Sequence, residues 1–172
     1  SKSNNWAIWV PDILERYQAD AVRYYIAATF PEGADADFAW DGFLSRVNGE
    51  LVAAWGNLVN RMLTFAYKRF EAKVPSFDEL TDADRAMIAA SEAGFDEVGT
   101  LLEKVKLREA LSAAFGIVRE ANGYIDRRAP WKSIKEYPAD AARAVYTVLR
   151  VIDNLKIILS PFLPHTSQQL HE

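Results

Sequence analysis

Asn57 and Arg61 stand four residues apart, a spacing that places two side chains on one face of a helix. At about 100° per residue they lie beside the apolar stripe Leu51, Trp55, Leu58 and Met62, not on it. Thr64 and Lys68 continue the same flank. An asparagine offers two donors and an acceptor, and an arginine offers a planar fork of donors. That combination suits the edges of unstacked bases and the phosphates next to them. The same pattern arises wherever polar residues border the core of an amphipathic helix, and spacing alone leaves both possibilities open.

A second constellation surrounds Trp131, which directly follows Pro130. The proline is expected to end the preceding helix at Ala129, which places the indole in a loop. Arg127 and Arg128 precede it and Lys132 follows. An exposed indole can stack on a base, a contact worth roughly 1–3 kcal/mol. Readers of RNA sequence target splayed single-stranded loops in this manner. The alternative is a tryptophan that plugs the end of a bundle with its N–H on a backbone carbonyl.

Composition limits what else the chain can do. Its 172 residues suffice for one domain with a single core. It has no cysteine, which excludes disulfides and thiolate metal sites, and its two histidines, His165 and His171, sit apart from any carboxylate cluster. No metal site is expected. No apolar run reaches the roughly 18 residues of a membrane span, and no basic-then-apolar leader is visible, so the expectation is a soluble cytoplasmic protein. The net charge of −4 argues against general nucleic-acid binding, which depends on neutralising phosphates. The charge is unevenly spread, however. Residues 51–75 carry Arg61, Lys68, Arg69 and Lys73 against Glu71, and residues 119–136 carry Arg119, Arg127, Arg128, Lys132 and Lys135. Two basic stretches in an acidic chain point to a bounded anion-facing surface, or to solvated helix faces.

The elements that must position these residues read as helices. Pro11 suits the first turn of a short helix through Tyr17, and Asp20 is expected to cap a second one through Ala28. A long helix is predicted from about Asp41 to Phe70, with Gly49 and Gly56 inside it as expected points of close approach by a neighbour. Thr81 and Asp84 form a variant capping box for the next helix. Leu107 to Tyr124 mark a further helix, and Pro138 can start a last long helix that Pro161 and Pro164 end before a short C-terminal turn. Short connections imply antiparallel neighbours, hence an all-α antiparallel bundle. Leu51, Leu58, Met62, Phe115, Val148 and Ile152 are expected to share one core.

Taken in order, several segments carry a family resemblance: Ser1-Lys2-Ser3, Asp20-Ala21-Val22-Arg23-Tyr24-Tyr25, Asp37-Phe38-Ala39-Trp40-Asp41-Gly42-Phe43, the Asn57/Arg61 helix, and Ala129-Pro130-Trp131. The set resembles the C-terminal part of methionyl-tRNA synthetases, and the resemblance covers essentially the whole chain. It implies a parent ligase that joins methionine to tRNA(Met) using ATP and magnesium, with this chain beginning inside the family's Lys-Met-Ser-Lys-Ser loop. Lys2 would match the second loop lysine, which is catalytic in the family, although Asn4-Asn5 departs from the basic residue and glycine often found next. The resemblance further implies a stem-contact remnant over residues 1–35 and an anticodon-binding bundle over residues 36–172. Asn57, Arg61 and Trp131 match the anticodon contacts, with Arg127, Arg128, Lys132 and Lys68 as further backbone contacts. Ala53 stands where some members carry another asparagine. The partners implied are the anticodon loop (CAU) of tRNA(Met) and the parent's catalytic module. Without that module the chain is expected to be inactive and to hold no cofactor. Two alternatives remain: the anticodon domain of a leucine, valine or isoleucine enzyme, and a helical protein-interaction module anchored by Trp131.

Overall fold

Prolines mark the helix starts along this chain, because a fixed φ and a missing N–H cost nothing in a first turn. Pro11 lies in the first turn of α1 (Val10–Leu14), and Pro130, Pro138 and Pro164 open α7 (Pro130–Ser133), α8 (Pro138–Leu159) and α9 (Pro164–His171). Between them run α2 (Ala19–Ala28), α3 (Trp40–Arg46), α4 (Asn57–Phe70), α5 (Asp82–Glu103) and α6 (Leu107–Arg128). These elements belong to a computed structural model that describes residues 9–32, 37–77 and 79–172. Lys2, with the rest of the opening loop motif, lies outside the described residues. No strand occurs among the described residues.

The bundle forms around α5, α6 and α8, which all pack on one another, with α4 against α8 and α2 against α6. Only residues 104–106 connect α5 to α6, too short a link for anything but an antiparallel pair. Leu58, Met62, Phe115, Val148 and Ile152 are buried in one core as expected, and Leu51 packs against it partly exposed. A second, smaller cluster of Ile13, Val22, Tyr25 and Phe43 carries α1, α2 and α3, with Phe38 and Val47 around it. It draws residues from both sides of the boundary expected at residue 35.

Several local expectations need correction. Gln18, not Asp20, is the N-cap of α2. The Asp20 carboxylate instead accepts the backbone N–H groups of His165 (3.4 Å) and Thr166 (2.6 Å) in the first turn of α9. It caps a helix from the other end of the chain, and the expected short C-terminal turn is that capped helix. The long helix is also not uniform. Residues Val47–Gly56 between α3 and α4 are π-helical, and the Asn57 N–H reaches back to the Val52 carbonyl, one residue further than in an α-helix. The wide turn is held from outside: Asn122 Nδ2 donates to the Ala54 carbonyl (3.1 Å), and the Tyr24 hydroxyl donates to the Glu50 carboxylate. Burial, then Glu50, pushes the Tyr24 phenol well above its ordinary value. Gly49 and Gly56 do not mark a close approach. A methyl at Gly49 would meet nothing within 4 Å, and at Gly56 only the Leu51 carbonyl at 3.7 Å. The close approach is at Gly94, where a methyl would collide with Ile117 Cδ1 and come within 3.1 Å of Ile158 Cδ1.

Candidate RNA-binding surface

The site is built where α6 ends. Ala129 closes α6 and opens α7 at φ 40°, ψ 57°, a left-handed conformation that steers the chain sharply. Proline disfavours the right-handed helical region at this position. Pro130 is buried, and Trp131 emerges in the single turn of α7, not in a loop, with 38% of its surface exposed. The indole is therefore neither a free loop side chain nor a plug in the core.

The Arg61 guanidinium lies over this ring, 5.2 Å from its centroid. It is fixed there by α6: Nη1 donates to Asp126 (2.8 Å) and Nη2 to Asn122 (3.3 Å). A cation over an indole face is attracted by the ring quadrupole. Asn57 is exposed one turn before Arg61, and no side-chain hydrogen bond is made by it among the described residues. Trp131 and Arg61 thus meet, and Asn57 extends the same helix flank. Lys132, Arg127 and Lys68 are all exposed, and among the described residues none forms an ion pair.

Arg128 is different. One prong of its fork meets Asp84 on α5 and the other meets Asp140 on α8 (2.7 Å), so its donors are already committed to carboxylates. Its side chain is 17% exposed, and that of Asp84 is fully buried. Tyr124 also donates to Asp84. Burial works against the Asp84 charge, but hydrogen bonds from Tyr124 and Thr81 and the Arg128 charge together hold its carboxyl below the ordinary range. Burial and then Asp84 push the Tyr124 phenol well up. This geometry commits the Arg128 donors to carboxylates of the scaffold, unlike those of Arg127, Lys132 and Lys68. Asn122 and Asp126 belong to the site and were not singled out from sequence. Their four-residue spacing on α6, leading toward Pro130, was the available signal.

Residues 74–172 match the family described as the anticodon binding domain of methionyl tRNA ligase. The chain belongs to that family. Residues 1–63 match a second family, tRNA synthetases class I (M). Asn57 and Arg61 fall in one match and Trp131 in the other, so the patch spans both. Along its full length the chain is 49% identical to the methionine–tRNA ligase of Roseiflexus castenholzii, and it is 47% identical over 171 residues to that of Thermomicrobium roseum. It spans 29% of the length of each of these relatives. Among solved structures, it superimposes on Mycobacterium tuberculosis methionyl-tRNA synthetase in the free state with a TM-score of 0.89 at 26% identity, covering 95% of this chain and 34% of that one. The same enzyme in complex with methionyl-adenylate gives 0.90 at 27% identity, covering 99% and 34%. Among the described residues, no helix is long and apolar enough to cross a membrane, and no group of three His, Cys, Asp or Glu side chains could hold a metal ion.

Proposed function

We propose that this chain reads the CAU anticodon of tRNA(Met) for a cytoplasmic methionine–tRNA ligase, through the surface formed by α4, α6 and α7. The observation that carries the proposal is the half-exposed Trp131 ring with the Arg61 guanidinium held over it. Trp131 stacks on a splayed base. Asn57, exposed and without a side-chain partner among the described residues, offers two donors and an acceptor to a base edge. Arg61 lends its charge to the ring and to the turning RNA backbone. Lys132, Arg127 and Lys68 meet phosphates.

The whole ligase joins methionine to tRNA at the expense of ATP, with magnesium on the nucleotide. Lys2 is assigned to that step by resemblance alone, and the catalytic module is the partner that completes it. A protein-docking role for Trp131 is less well supported, because cations surround the ring where an interaction anchor more often sits in an apolar patch. The test is a titration of this chain with a CAU stem-loop and a scrambled-loop control. Preferential binding of the CAU loop, lost in Trp131→Ala, is the expected result. Equal binding of both loops would overturn the proposal.

A further inference from the structure

We propose that Asp84, on a different helix and 47 positions upstream, is a positioning residue for Trp131 and acts through Arg128. The inference rests on the stacking role proposed for Trp131.

Asp84 has two separate jobs. Its Oδ2 accepts the Thr81 N–H (2.8 Å), and its own N–H donates to Thr81 Oγ1 (3.3 Å), which completes a capping box at the start of α5. That box needs only one carboxylate oxygen. The other oxygen, Oδ1, receives Tyr124 and Arg128 from the last turn of α6. Nothing in helix capping requires this second set of contacts. Arg128 in turn reaches Asp140, which Arg143 also holds (3.0 Å). One guanidinium at the end of α6 is thereby fixed between carboxylates from α5 and α8.

Two residues separate Arg128 from Trp131, so only a few backbone torsions lie between the anchored guanidinium and the ring. Ala129 is in the left-handed region at φ 40°, and the ring of Pro130 fixes its own φ. The α6–α7 junction that carries the indole is thereby coupled to where Arg128 is held, and α7 itself packs on α8, the helix that supplies Asp140. Arg61 faces the ring from α4, but its pair with Asp126 is half exposed and weaker. Of the two anchors, the one made by Arg128 is the more deeply buried.

The experiment measures binding of the 172-residue chain to a CAU stem-loop and to one with its first anticodon base changed. Thermal unfolding is followed in parallel. Asp84→Asn can keep its one oxygen on the Thr81 N–H, and then turns an amide NH2, which cannot accept a hydrogen bond, toward Arg128 and Tyr124. It is expected to weaken CAU binding about five- to tenfold, within the range of one lost stacking contact. In the Trp131→Ala background the same change should alter binding less than about twofold, since the platform is already gone. Arg128→Lys keeps the charge and loses the fork, and should give the same loss should Asp84→Asn not fold. Thr81→Ala is the control: it weakens the cap and lowers the melting temperature, yet should leave binding unchanged. The positioning role is overturned if Trp131→Ala weakens binding while Asp84→Asn and Arg128→Lys do not. It is equally overturned if Asp84→Asn costs the same with and without Trp131. If Trp131→Ala itself has no effect, the stacking role falls and this inference falls with it.

Discussion

Arg61 lies over the Trp131 ring and Arg128 stands three residues before it, and the two arginines sit in opposite physical settings. Arg128 is largely buried against a carboxylate that has no exposed surface. Arg61 is 37% exposed against an Asp126 that is 59% exposed. Breaking a buried pair strands a charge in low dielectric, at a cost of about 3–5 kcal/mol. An exposed pair is worth roughly 0–1 kcal/mol. The end of α6 that leads into the tryptophan is therefore firmly anchored, and the cation over its ring is loosely held. On the proposed reading, the surface offered to RNA is preorganised through one arginine and adjustable through the other.

Removing the rigid side should have the largest effect. Arg128→Ala leaves the Asp84 charge buried and should cost about 3–5 kcal/mol in urea unfolding. A loss below about 1 kcal/mol would erase the distinction between the two arginines. Next comes Trp131→Ala, which should cost roughly 1–3 kcal/mol of discrimination between CAU and scrambled loops while unfolding stays cooperative. If the chain unfolds instead, the ring belongs to the scaffold. Arg61→Ala should change stability by no more than about 1 kcal/mol. Its effect on RNA separates two contacts: a phosphate contact lowers the salt slope by about 1, and a base contact changes sequence preference.

The smallest effect near neutrality is that of pH, and it reports on the buried Arg128 network. Asp84 is depressed in the folded state, so its contribution is fully present above the ordinary carboxylate range and is lost as pH falls through the lowered value. Tyr124 is raised, so its contribution is complete below the ordinary tyrosine value of about 10 and is lost as pH rises beyond it. Melting temperatures should be flat near pH 7 and decline at both extremes. Tyr124→Phe should flatten the alkaline decline. An unchanged alkaline limb in that variant would mean that Tyr124 does not report on the buried network.

Much of this was legible in the sequence, and the exceptions share a cause. Periodicity gave the all-helical fold and five fully buried core positions because each is a local pattern read along one face. The Thr81/Asp84 box was legible for the same reason: donor and acceptor lie three residues apart. Asp20 also looked local, a carboxylate at the start of a helix, but its partners are at His165 and Thr166. Arg128 looked like one more cation beside an aromatic, and only the tertiary fold brings Asp84 and Asp140 to it. The π-helical stretch left no periodic signal because its stabilising contacts come from Tyr24 and Asn122 on other helices. Gly94 reads as an ordinary interior glycine until Ile117 and Ile158 are placed against it. Sequence shows which residue types could carry chemistry, but not which of them are consumed by partners distant along the chain.

The bond from Asp20 to α9 sets a clock on the chain's synthesis. The same helix also sends Arg23 to the carbonyls of Pro161 (2.6 Å) and Phe162 (3.3 Å), so α2 grips both sides of the α8–α9 elbow. About 145 residues separate the carboxylate from the amides it serves. A ribosome adding roughly 5–20 residues per second takes on the order of 7–30 s to cover that distance. Throughout that interval α2 carries an aspartate destined for burial and an arginine without its carbonyls. The helix cannot dock finally until the elbow has emerged. A segment made before the rest of the bundle is thus one of the last to be locked in place.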